Sequence, residues 1–399
     1  MTYSIEKVTT LIGARRFGER DTQISFILSD SRSLCFPEET LFFALRSGRN
    51  DGHRYINELY ARGVQNFVVS TLPQDCAQHY PDANFLLVLD TLEALQRLAE
   101  RHRDEFNIPI VGITGSNGKT MVKEWLNQIL SGDFMVTRSP RSYNSQVGVP
   151  LSVWLLDRHS QVGIFEAGIS KPGEMLALRN IIQPTITVLT NIGDAHQENF
   201  SSREAKCMEK LQLFHDAQVV VYNGDDVLVK HCVSEQHDLH AEQLFWSCAD
   251  AAAPFYINKV EKSGAATLVT YRYAGETNSY RLPFIDEASI SNSFACALVA
   301  LKLGISPETL AQRMAQLEPI AMRLEVKEGQ HGCTLINDSY NSDINALDIA
   351  LDFMNRRPDH QGRRHTLILS DIFQSGETSA DLYREVGALV KKRGVQKFI

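Results

Sequence analysis

The sequence lacks several features that would place it in a specialised class of protein. Its 399 residues include only seven cysteines, which are scattered and form no C-x-x-C pair, so neither a disulfide framework nor a zinc site is expected. The formal net charge is −8, whereas nucleic-acid-binding proteins usually carry a basic face. No apolar run approaches a membrane span, and the N-terminus lacks a signal-peptide pattern. These absences predict a cytoplasmic protein without a nucleic-acid partner or membrane insertion.

The composition that remains is that of an ordinary globular protein. Hydrophobic residues make up 43% of the chain and charged residues 22%. A chain of 399 residues is too long for a single core, so two or three domains are expected.

The most informative segment is a candidate phosphate-binding loop. An apolar run over 108–113 predicts a strand, residues 121–130 predict a helix, and the loop between them ends in Gly118-Lys119-Thr120. Such a loop directs its backbone N–H groups toward a polyphosphate at the positive end of the helix. In this pattern Lys119 reaches the β- and γ-phosphates, and the Thr120 hydroxyl binds Mg²⁺. The glycine spacing departs from the standard motif, so a plain strand-to-helix turn is the alternative.

The guanine-specifying tetrapeptide N-K-x-D is missing, which favours ATP over GTP. The chain also lacks a paired Asp-Glu at the end of an apolar strand and any credible nucleophile triad.

Alternation of short apolar strands with helices predicts an α/β fold whose central sheet is mostly parallel and doubly wound. Between 243 and 283 the pattern changes to alternating polar and apolar residues, which predicts an antiparallel edge. The predicted strands are 67–69, 85–89, 162–166, 185–190, 219–222, 333–337 and 365–370, and the predicted helices are 92–106, 146–157, 201–215, 289–303 and 344–355.

Three domains are expected on this pattern: 1–105, 106–318 with the phosphate loop, and 319–399. The third is short for a doubly wound domain and reaches residue 399 within a predicted strand. We therefore expect an incomplete third domain and a sequence that is part of a longer protein.

Two polar residues follow predicted parallel strands, where ligands of open α/β sheets gather. Glu166 ends the strand 162–166, and His196 lies beyond the strand 185–190. A carboxylate suits Mg²⁺, and an imidazole suits a second, substrate-bridging ion. The alternatives are a capped or solvated carboxylate and a histidine that is merely hydrogen-bonded.

Lys210 lies at the edge of the apolar stripe of the predicted helix 201–215. Partial burial lowers the pKa of an ammonium group, which would free a neutral amine to form a carbamate with CO₂. The pattern alone favours the alternative, a lysine whose ammonium group reaches solvent.

Taken in order, these segments resemble the Mur ligase family, the ATP-dependent amide-forming enzymes of peptidoglycan precursor synthesis. The resemblance runs from about residue 25 to residue 399. It is carried by Asp30-Ser31-Arg32, residues 41–45, residues 48–53, Thr114-Gly115-Ser116-Asn117-Gly118-Lys119-Thr120, residues 144–150, Glu166-Ala167-Gly168, residues 191–200, Lys210, Asn292, residues 322–325 and residues 338–341. Ser145 departs from the family, which usually has a second Asn there.

The resemblance implies a role for each matching residue. Residues 114–120, Asn292, Arg323 and Asp338 would bind ATP. Thr120, Glu166, His196 and a carbamylated Lys210 would hold two Mg²⁺ ions. Lys119, His196 and Lys210 would be catalytic. Ser31, Arg32, Asn144 and Ser145 would contact the substrate. The three domains would be a UDP-sugar-binding domain, a central ATP-binding domain and a Rossmann-like domain that caps the nucleotide and receives the amino substrate.

Within the family, residues 191–200 resemble the members that add D-alanyl-D-alanine to UDP-N-acetylmuramoyl-tripeptide. Such an enzyme phosphorylates the tripeptide carboxylate and passes the acyl phosphate to the amine of D-Ala-D-Ala. An alanine racemase fused beyond residue 399 is a further hypothesis. Other readings stay open: a ligase that adds the third amino acid or extends a folate, a nucleotide-dependent switch, and a fragment that binds without turnover.

Overall fold

The computed structural model describes residues 1–48, 50–193, 197–320, 325–339, 344–356, 362, 364–372 and 379–399. The chain divides into two compact units. Unit 1 comprises Met1–Ile108, Thr137–Gly163 and Asn180–Ile182, and unit 2 comprises Pro109–Val136, Ile164–Arg179 and Gln183–Ile399. The finer division into three functional domains stays a prediction.

The strands of the described chain are β1 Tyr3–Ser4, β2 Arg15–Phe17, β3 Gln23–Ile24, β4 Phe26–Leu28, β5 Thr40–Phe43, β6 Asn66–Val69, β7 Asn84–Leu87, β8 Ile110–Thr114, β9 Val136–Arg138, β10 Val162–Glu166, β11 Ile186–Leu189, β12 Val219–Asn223, β13 Glu242–Ser247, β14 Phe255–Ser263, β15 Ala266–Tyr273, β16 Glu276–Leu282, β17 Glu325–Glu328, β18 Thr334–Asn337, β19 Thr366–Leu367 and β20 Lys397–Phe398.

The α-helices are α1 Ile5–Ile12, α2 Ile56–Ala61, α3 Cys76–His79, α4 Thr91–Arg103, α5 Lys119–Leu130, α6 Gly148–Val153, α7 Glu174–Ile182, α8 Arg203–Leu211, α9 Val227–Ser234, α10 Glu287–Lys302, α11 Pro307–Met314, α12 Ile344–Arg356 and α13 Ser379–Lys392. Short 3₁₀ turns cover Ser31–Ser33, Pro37–Glu39, Gly52–Tyr55, Gln197–Asn199, Gln212–Phe214 and Gln330–Gly332.

Unit 1 contains a five-stranded sheet in the order β2-β7-β6-β5-β4, parallel except at β2. Successive side chains of a strand point to opposite faces, and β5 supplies both cores accordingly. Leu41 and Phe43 join the cluster that contains α1 and α4, whereas Phe42 packs with Phe67 and Phe85 on the other face. A sheet covered on both faces explains why these strands read as continuous apolar runs.

A nine-stranded sheet has the order β16-β15-β14-β13-β12-β11-β8-β10-β9, and seven of its strands, β8 and β11 to β16, lie wholly within unit 2. Strands β8, β11, β12 and β13 are parallel, and β8 is buried throughout. The predicted α/β fold with a mostly parallel central sheet is confirmed. Strand β11 is parallel to β8, and the Ala167 N–H, just after β10, donates to the Ile113 carbonyl oxygen of β8 at 2.8 Å, so the carboxyl ends of these three strands meet at one edge, where ligands of open α/β sheets bind.

The predicted antiparallel edge begins later than the sequence pattern indicated. The hairpins β14–β15 and β15–β16 are antiparallel, but β13 and β14 are parallel. The loop over 248–254 carries the chain back, so that Phe255 starts a strand beside Trp246 in the same direction. Two predicted helices are also shorter: α6 ends at Val153, and α8 gives way to a 3₁₀ turn at Gln212.

The C-terminal part of unit 2 contains the β17–β18 hairpin, the parallel pair β19–β20 and the helices α12 and α13. Its small apolar core includes Leu347, Leu351, Leu382 and Val386. The strands predicted at 333–337 and 365–370 and the helix predicted at 344–355 correspond to β18, β19 and α12.

His102 is the central polar group in the core of unit 1. Its side chain is fully buried against Trp154, Nδ1 lies 2.9 Å from the Tyr3 hydroxyl, and Nε2 lies 3.0 Å from the Leu156 carbonyl oxygen. The neutral ring satisfies both groups when Nε2–H donates to the carbonyl and Nδ1 accepts from the hydroxyl. Burial lowers the pKa of His102 from 6.5 to about 4.

We expect unit 1 to lose stability between pH 6.5 and pH 4 because of this residue. In that window the unfolded chain binds a proton at His102 that the folded chain does not, so folding becomes less favourable as the pH falls. The loss is on the order of 3 kcal/mol. His102→Gln keeps a donor and an acceptor. Its free energy of unfolding, measured with urea, will decrease less over this pH range than that of the wild type. His240 is exposed, so His240→Gln is the control. An equal pH dependence of the free energy of unfolding in all three proteins would contradict the role given to His102.

Candidate nucleotide and metal site

The loop between β8 and α5 has a backbone that only glycine accommodates at two points. Gly115 has φ +139° and Gly118 has φ +85°. A Cβ on Gly115 would lie 1.9 Å from the Thr190 hydroxyl oxygen, and one on Gly118 would lie 2.5 Å from Asn292 Oδ1. The loop therefore packs directly against the end of β11 and against α10, and side chains at these two positions are excluded.

Hydrogen bonds attach this loop to the segment that follows β11. The Ser116 N–H donates to the Asn191 carbonyl oxygen at 2.9 Å, and the Asn117 N–H donates to Asn191 Oδ1 at 3.0 Å. The Thr190 hydroxyl donates to the Asn117 carbonyl oxygen, and the Gly193 N–H donates to Ser116 Oγ at 2.8 Å. The two segments are thus held together by hydrogen bonds at the carboxyl edge of the sheet.

Three lysine ammonium groups converge on carbonyl oxygens of these segments. Lys119 Nζ donates to Gly115 at 2.7 Å and to Ser116 at 3.0 Å, and Lys210 Nζ donates to Gly115 at 3.3 Å. Lys206, one helical turn before Lys210 on α8, donates to Gly193. Burial, with Lys119 and Lys206 nearby, holds the pKa of Lys210 well below its usual range. The three ammonium groups together suit an anionic ligand, and the lowered pKa of Lys210 favours the neutral form of its amine.

A hydroxyl and a carboxylate meet beside the start of α5. The Thr120 hydroxyl donates to Glu166 Oε2 at 3.1 Å, and Glu166, the last residue of β10, is fully buried. Lys123 Nζ lies 3.2 Å from Glu166 Oε1. The family resemblance implies that Thr120 and Glu166 both bind Mg²⁺, and the structure brings the two side chains within hydrogen-bonding distance. Their hard oxygens are the donors that Mg²⁺ prefers, so the pair fits that ion.

His196 and Arg323 lie outside the described residues, so the metal-binding and nucleotide-binding roles predicted for them stay predictions. In the described part of the chain, no cluster of three or more His, Cys, Asp and Glu side chains is suited to hold a metal.

A pocket beside the loop is lined by groups suited to a nucleoside. Asn292 on α10 and Asp338 after β18, both predicted to contact ATP, line it together with Asn191. Asn223 at the end of β12 and Asp226 at the start of α9 also line it. Polar groups from several elements thus surround an apolar floor, which is typical of a ligand pocket.

The predicted substrate contacts lie in unit 1. Ser31 is buried, and its carbonyl oxygen accepts from Arg62 at 2.9 Å. The exposed Arg32 pairs with Asp30 at 2.6 Å, and hydrogen bonds from Arg32 lower the pKa of Asp30 to about 2. Ser145 Oγ accepts from the Gly148 N–H at 3.2 Å, and Asn144 precedes it. The roles of these four residues in binding substrate stay predictions.

Sequence reasoning did not single out Lys123 or Lys206 for this site. A spacing of four residues could have found both, since Lys123 follows Lys119 by four and Lys206 precedes Lys210 by four. Residues four apart share a helix face, so each lies on the same side as a residue that was predicted.

The conformation of the loop leads to a test with Gly115→Ala. Because the added methyl group would overlap Thr190, we expect ADP affinity to fall at least about tenfold and stability to fall by more than the ~1 kcal/mol of backbone strain. Gly173→Ala is the matched control, since Gly173 has φ +82° but open space around it. Calorimetric ADP titration and urea unfolding measure both effects. Equal losses in the two variants would show that backbone strain, and not the contact with Thr190, is responsible.

In the described residues, no helix combines the length and the apolar character needed to cross a bilayer.

Comparison with known proteins finds a family model that matches the segment containing the phosphate loop. The Mur ligase middle domain matches residues 113–300. The UDP-N-acetylmuramoyl-tripeptide–D-alanyl-D-alanine ligase of Bacillus subtilis (strain 168) is 27% identical over 374 residues, which cover 92% of this chain and 78% of that protein.

Solved structures share the fold. A MurF crystal structure from Acinetobacter baumannii has a TM-score of 0.87 at 22% identity and covers all of this chain and 89% of that chain. MurF ligase from Thermotoga maritima in complex with ADP has a TM-score of 0.78 at 21% identity and covers 98% and 88%. The resemblance found in the sequence is thereby confirmed: residues 113–300 match the Mur ligase middle domain, and the chain shares the fold of these MurF structures.

Proposed function

We propose that this protein is an ATP-dependent ligase that adds D-alanyl-D-alanine to UDP-N-acetylmuramoyl-tripeptide in peptidoglycan precursor synthesis. The observation that carries the proposal is the phosphate loop, with its buried Thr120–Glu166 pair, in a chain that resembles ligases of this name over nearly its whole length. We further propose that the reaction takes place in the cytoplasm, where the nucleotide-linked precursor and ATP are available.

The first step is transfer of the γ-phosphoryl group of ATP to the free carboxylate of the tripeptide. A carboxylate oxygen attacks phosphorus, the bond to the β-phosphate oxygen breaks, and an acyl phosphate and ADP result. Lys119 neutralises charge on the phosphoryl group, and the N–H groups at the start of α5 hold the phosphates. In such a transfer, positioning and charge stabilisation are most of what a protein contributes.

Thr120 and Glu166 would hold one Mg²⁺ ion, and His196 with Lys210 would hold or orient a second. When bound, these ions neutralise phosphate charge. The residues of the chain contribute by keeping hard oxygens and lysine side chains at the carboxyl edge of the sheet.

In the second step the amine of D-Ala-D-Ala attacks the acyl carbon. The tetrahedral intermediate then loses phosphate, and an amide forms. Arg323 and Asp338 of the third domain would approach the nucleotide, and water must be excluded because it would hydrolyse the acyl phosphate. Ser31, Arg32, Asn144 and Ser145 would contact the UDP-sugar substrate.

Lys210 is proposed to carry a carbamate. A neutral lysine amine adds to the carbon of CO₂, one C=O electron pair moves to oxygen, and a proton leaves to solvent. The burial of Lys210 and its lowered pKa favour the neutral amine that this addition needs. The product is a carboxylate-like group beside the phosphate loop.

The ligase activity is tested by mass spectrometry of products formed from ATP, Mg²⁺, UDP-N-acetylmuramoyl-tripeptide and D-Ala-D-Ala. We expect a pentapeptide product that disappears when either substrate is omitted. Lys119→Met should lower the rate at least about 100-fold, because it removes a preorganised charge from the transfer step. Lys302→Met, which removes a surface ammonium paired with Glu242, is the control. Substrate-independent ATP hydrolysis without a pentapeptide would mean that the function is wrong.

The carbamate is tested by ¹³C NMR after equilibration with ¹³C-bicarbonate. Wild type should show a carbamate resonance that is absent from Lys210→Met, and the activity of this variant should fall about 100-fold. Partial recovery of activity with a short carboxylic acid would support the role. A resonance that persists in Lys210→Met would assign the carbamate to another amine.

A further inference from the structure

Lys123 is a buried cation that the proposed reaction does not use directly. It lies one helical turn beyond Lys119 and Thr120 on α5, and its side chain is fully buried. Its ammonium nitrogen is 3.2 Å from Glu166 Oε1 and 2.9 Å from Glu124 Oε1. Lys123 is therefore part of the same cluster as the proposed magnesium ligands.

The two oxygens of Glu166 have different neighbours. Oε1 faces the Lys123 ammonium group, and Oε2 accepts from the Thr120 hydroxyl at 3.1 Å. A buried carboxylate is costly unless a cation or strong hydrogen bonds balance it. Lys123 supplies the balancing charge at Oε1. Oε2 remains beside Thr120, the residue that shares the proposed ion with Glu166.

We propose that Lys123 is the resident counter-cation of Glu166, a positioning residue that limits how strongly nucleotide binding depends on the divalent ion. The inference rests on the proposed function, which assigns Thr120 and Glu166 to Mg²⁺. Lys123 keeps the carboxylate balanced before the ion arrives, so the phosphate loop does not present an uncompensated negative charge to a nucleotide.

The consequence is a change in coupling between two ligands. The Lys123 ammonium group and Mg²⁺ both neutralise the Glu166 carboxylate, so each partly replaces the other. Removal of the lysine charge therefore makes nucleotide binding depend more strongly on Mg²⁺. The metal-free protein then has an unbalanced anion beside the phosphate loop, and nucleotide binding weakens more without Mg²⁺ than with it. Coupling between two ligands is reciprocal, so the same change appears in the affinity for the ion.

The experiment measures the dissociation constant of ADP by calorimetry, once in EDTA and once with saturating Mg²⁺. The readout is the dissociation constant in EDTA divided by the dissociation constant with Mg²⁺. Lys123→Met should raise this ratio at least about fivefold over wild type. Lys123→Arg, which keeps the charge, should restore it. Glu124→Gln removes the other carboxylate from Lys123 and leaves the Lys123–Glu166 pair, so it should not raise the ratio.

A double-variant cycle keeps the test decisive if Lys123→Met does not fold. Lys123→Met with Glu166→Gln removes both buried charges, and its ratio should equal that of Glu166→Gln alone. If the methionine still raises the ratio in that background, Lys123 acts on something other than Glu166, and the proposal is wrong. It is also wrong if Lys123→Met weakens ADP equally with and without Mg²⁺, as a purely structural defect would.

The assay separates this inference from the proposed function. A wild-type protein that forms the pentapeptide, together with an unchanged ratio in Lys123→Met, would overturn only the role of Lys123. A ratio of one in both wild type and Glu166→Gln would overturn the metal assignment itself, and the role of Lys123 with it.

Discussion

Burial of charge at the carboxyl edge of the parallel sheet is the constraint on which the site depends. Lys123, Lys206, Lys210 and Glu166 are all at most 3% exposed, and such groups need partners that water cannot supply. Glu166 balances Lys123, while Lys206 and Lys210 contact backbone carbonyl oxygens of the phosphate loop and its neighbouring segment. The conformation of these segments and the placement of the lysines are therefore interdependent.

The apolar framework makes that arrangement possible. Strand β8 is buried on both faces, and α5 places Val122, Trp125, Leu126 and Ile129 in the core while its first turn carries Lys119 and Thr120. The polar cluster thus lies on a buried strand and on a helix that is anchored in the core. Preorganisation of this kind is the main way a protein lowers the barrier to phosphoryl transfer.

Several elements followed from local pattern, and others did not. Strand β10 has the predicted bounds 162–166, because its five residues form one continuous buried run. Helix α5 begins at Lys119, two residues before the predicted start, since the left-handed Gly118 ends the loop and the helix starts at once. Helix α8 begins at Arg203 because the Ser202 side chain accepts from the Ala205 N–H, an N-cap that apolar periodicity alone does not weigh.

Local signals were enough to predict the α/β class, the position of the phosphate loop and the candidate ligands Thr120 and Glu166, because glycine placement, apolar runs and strand ends can all be recognised along the chain. The folded arrangement was needed to show that Lys123 faces Glu166 and that Lys206 lies with Lys119 and Lys210 around the loop. From sequence alone, a lysine in a helix is expected to be exposed to solvent. Burial depends on which strands are neighbours, and that pairing comes from contacts between residues far apart in the chain.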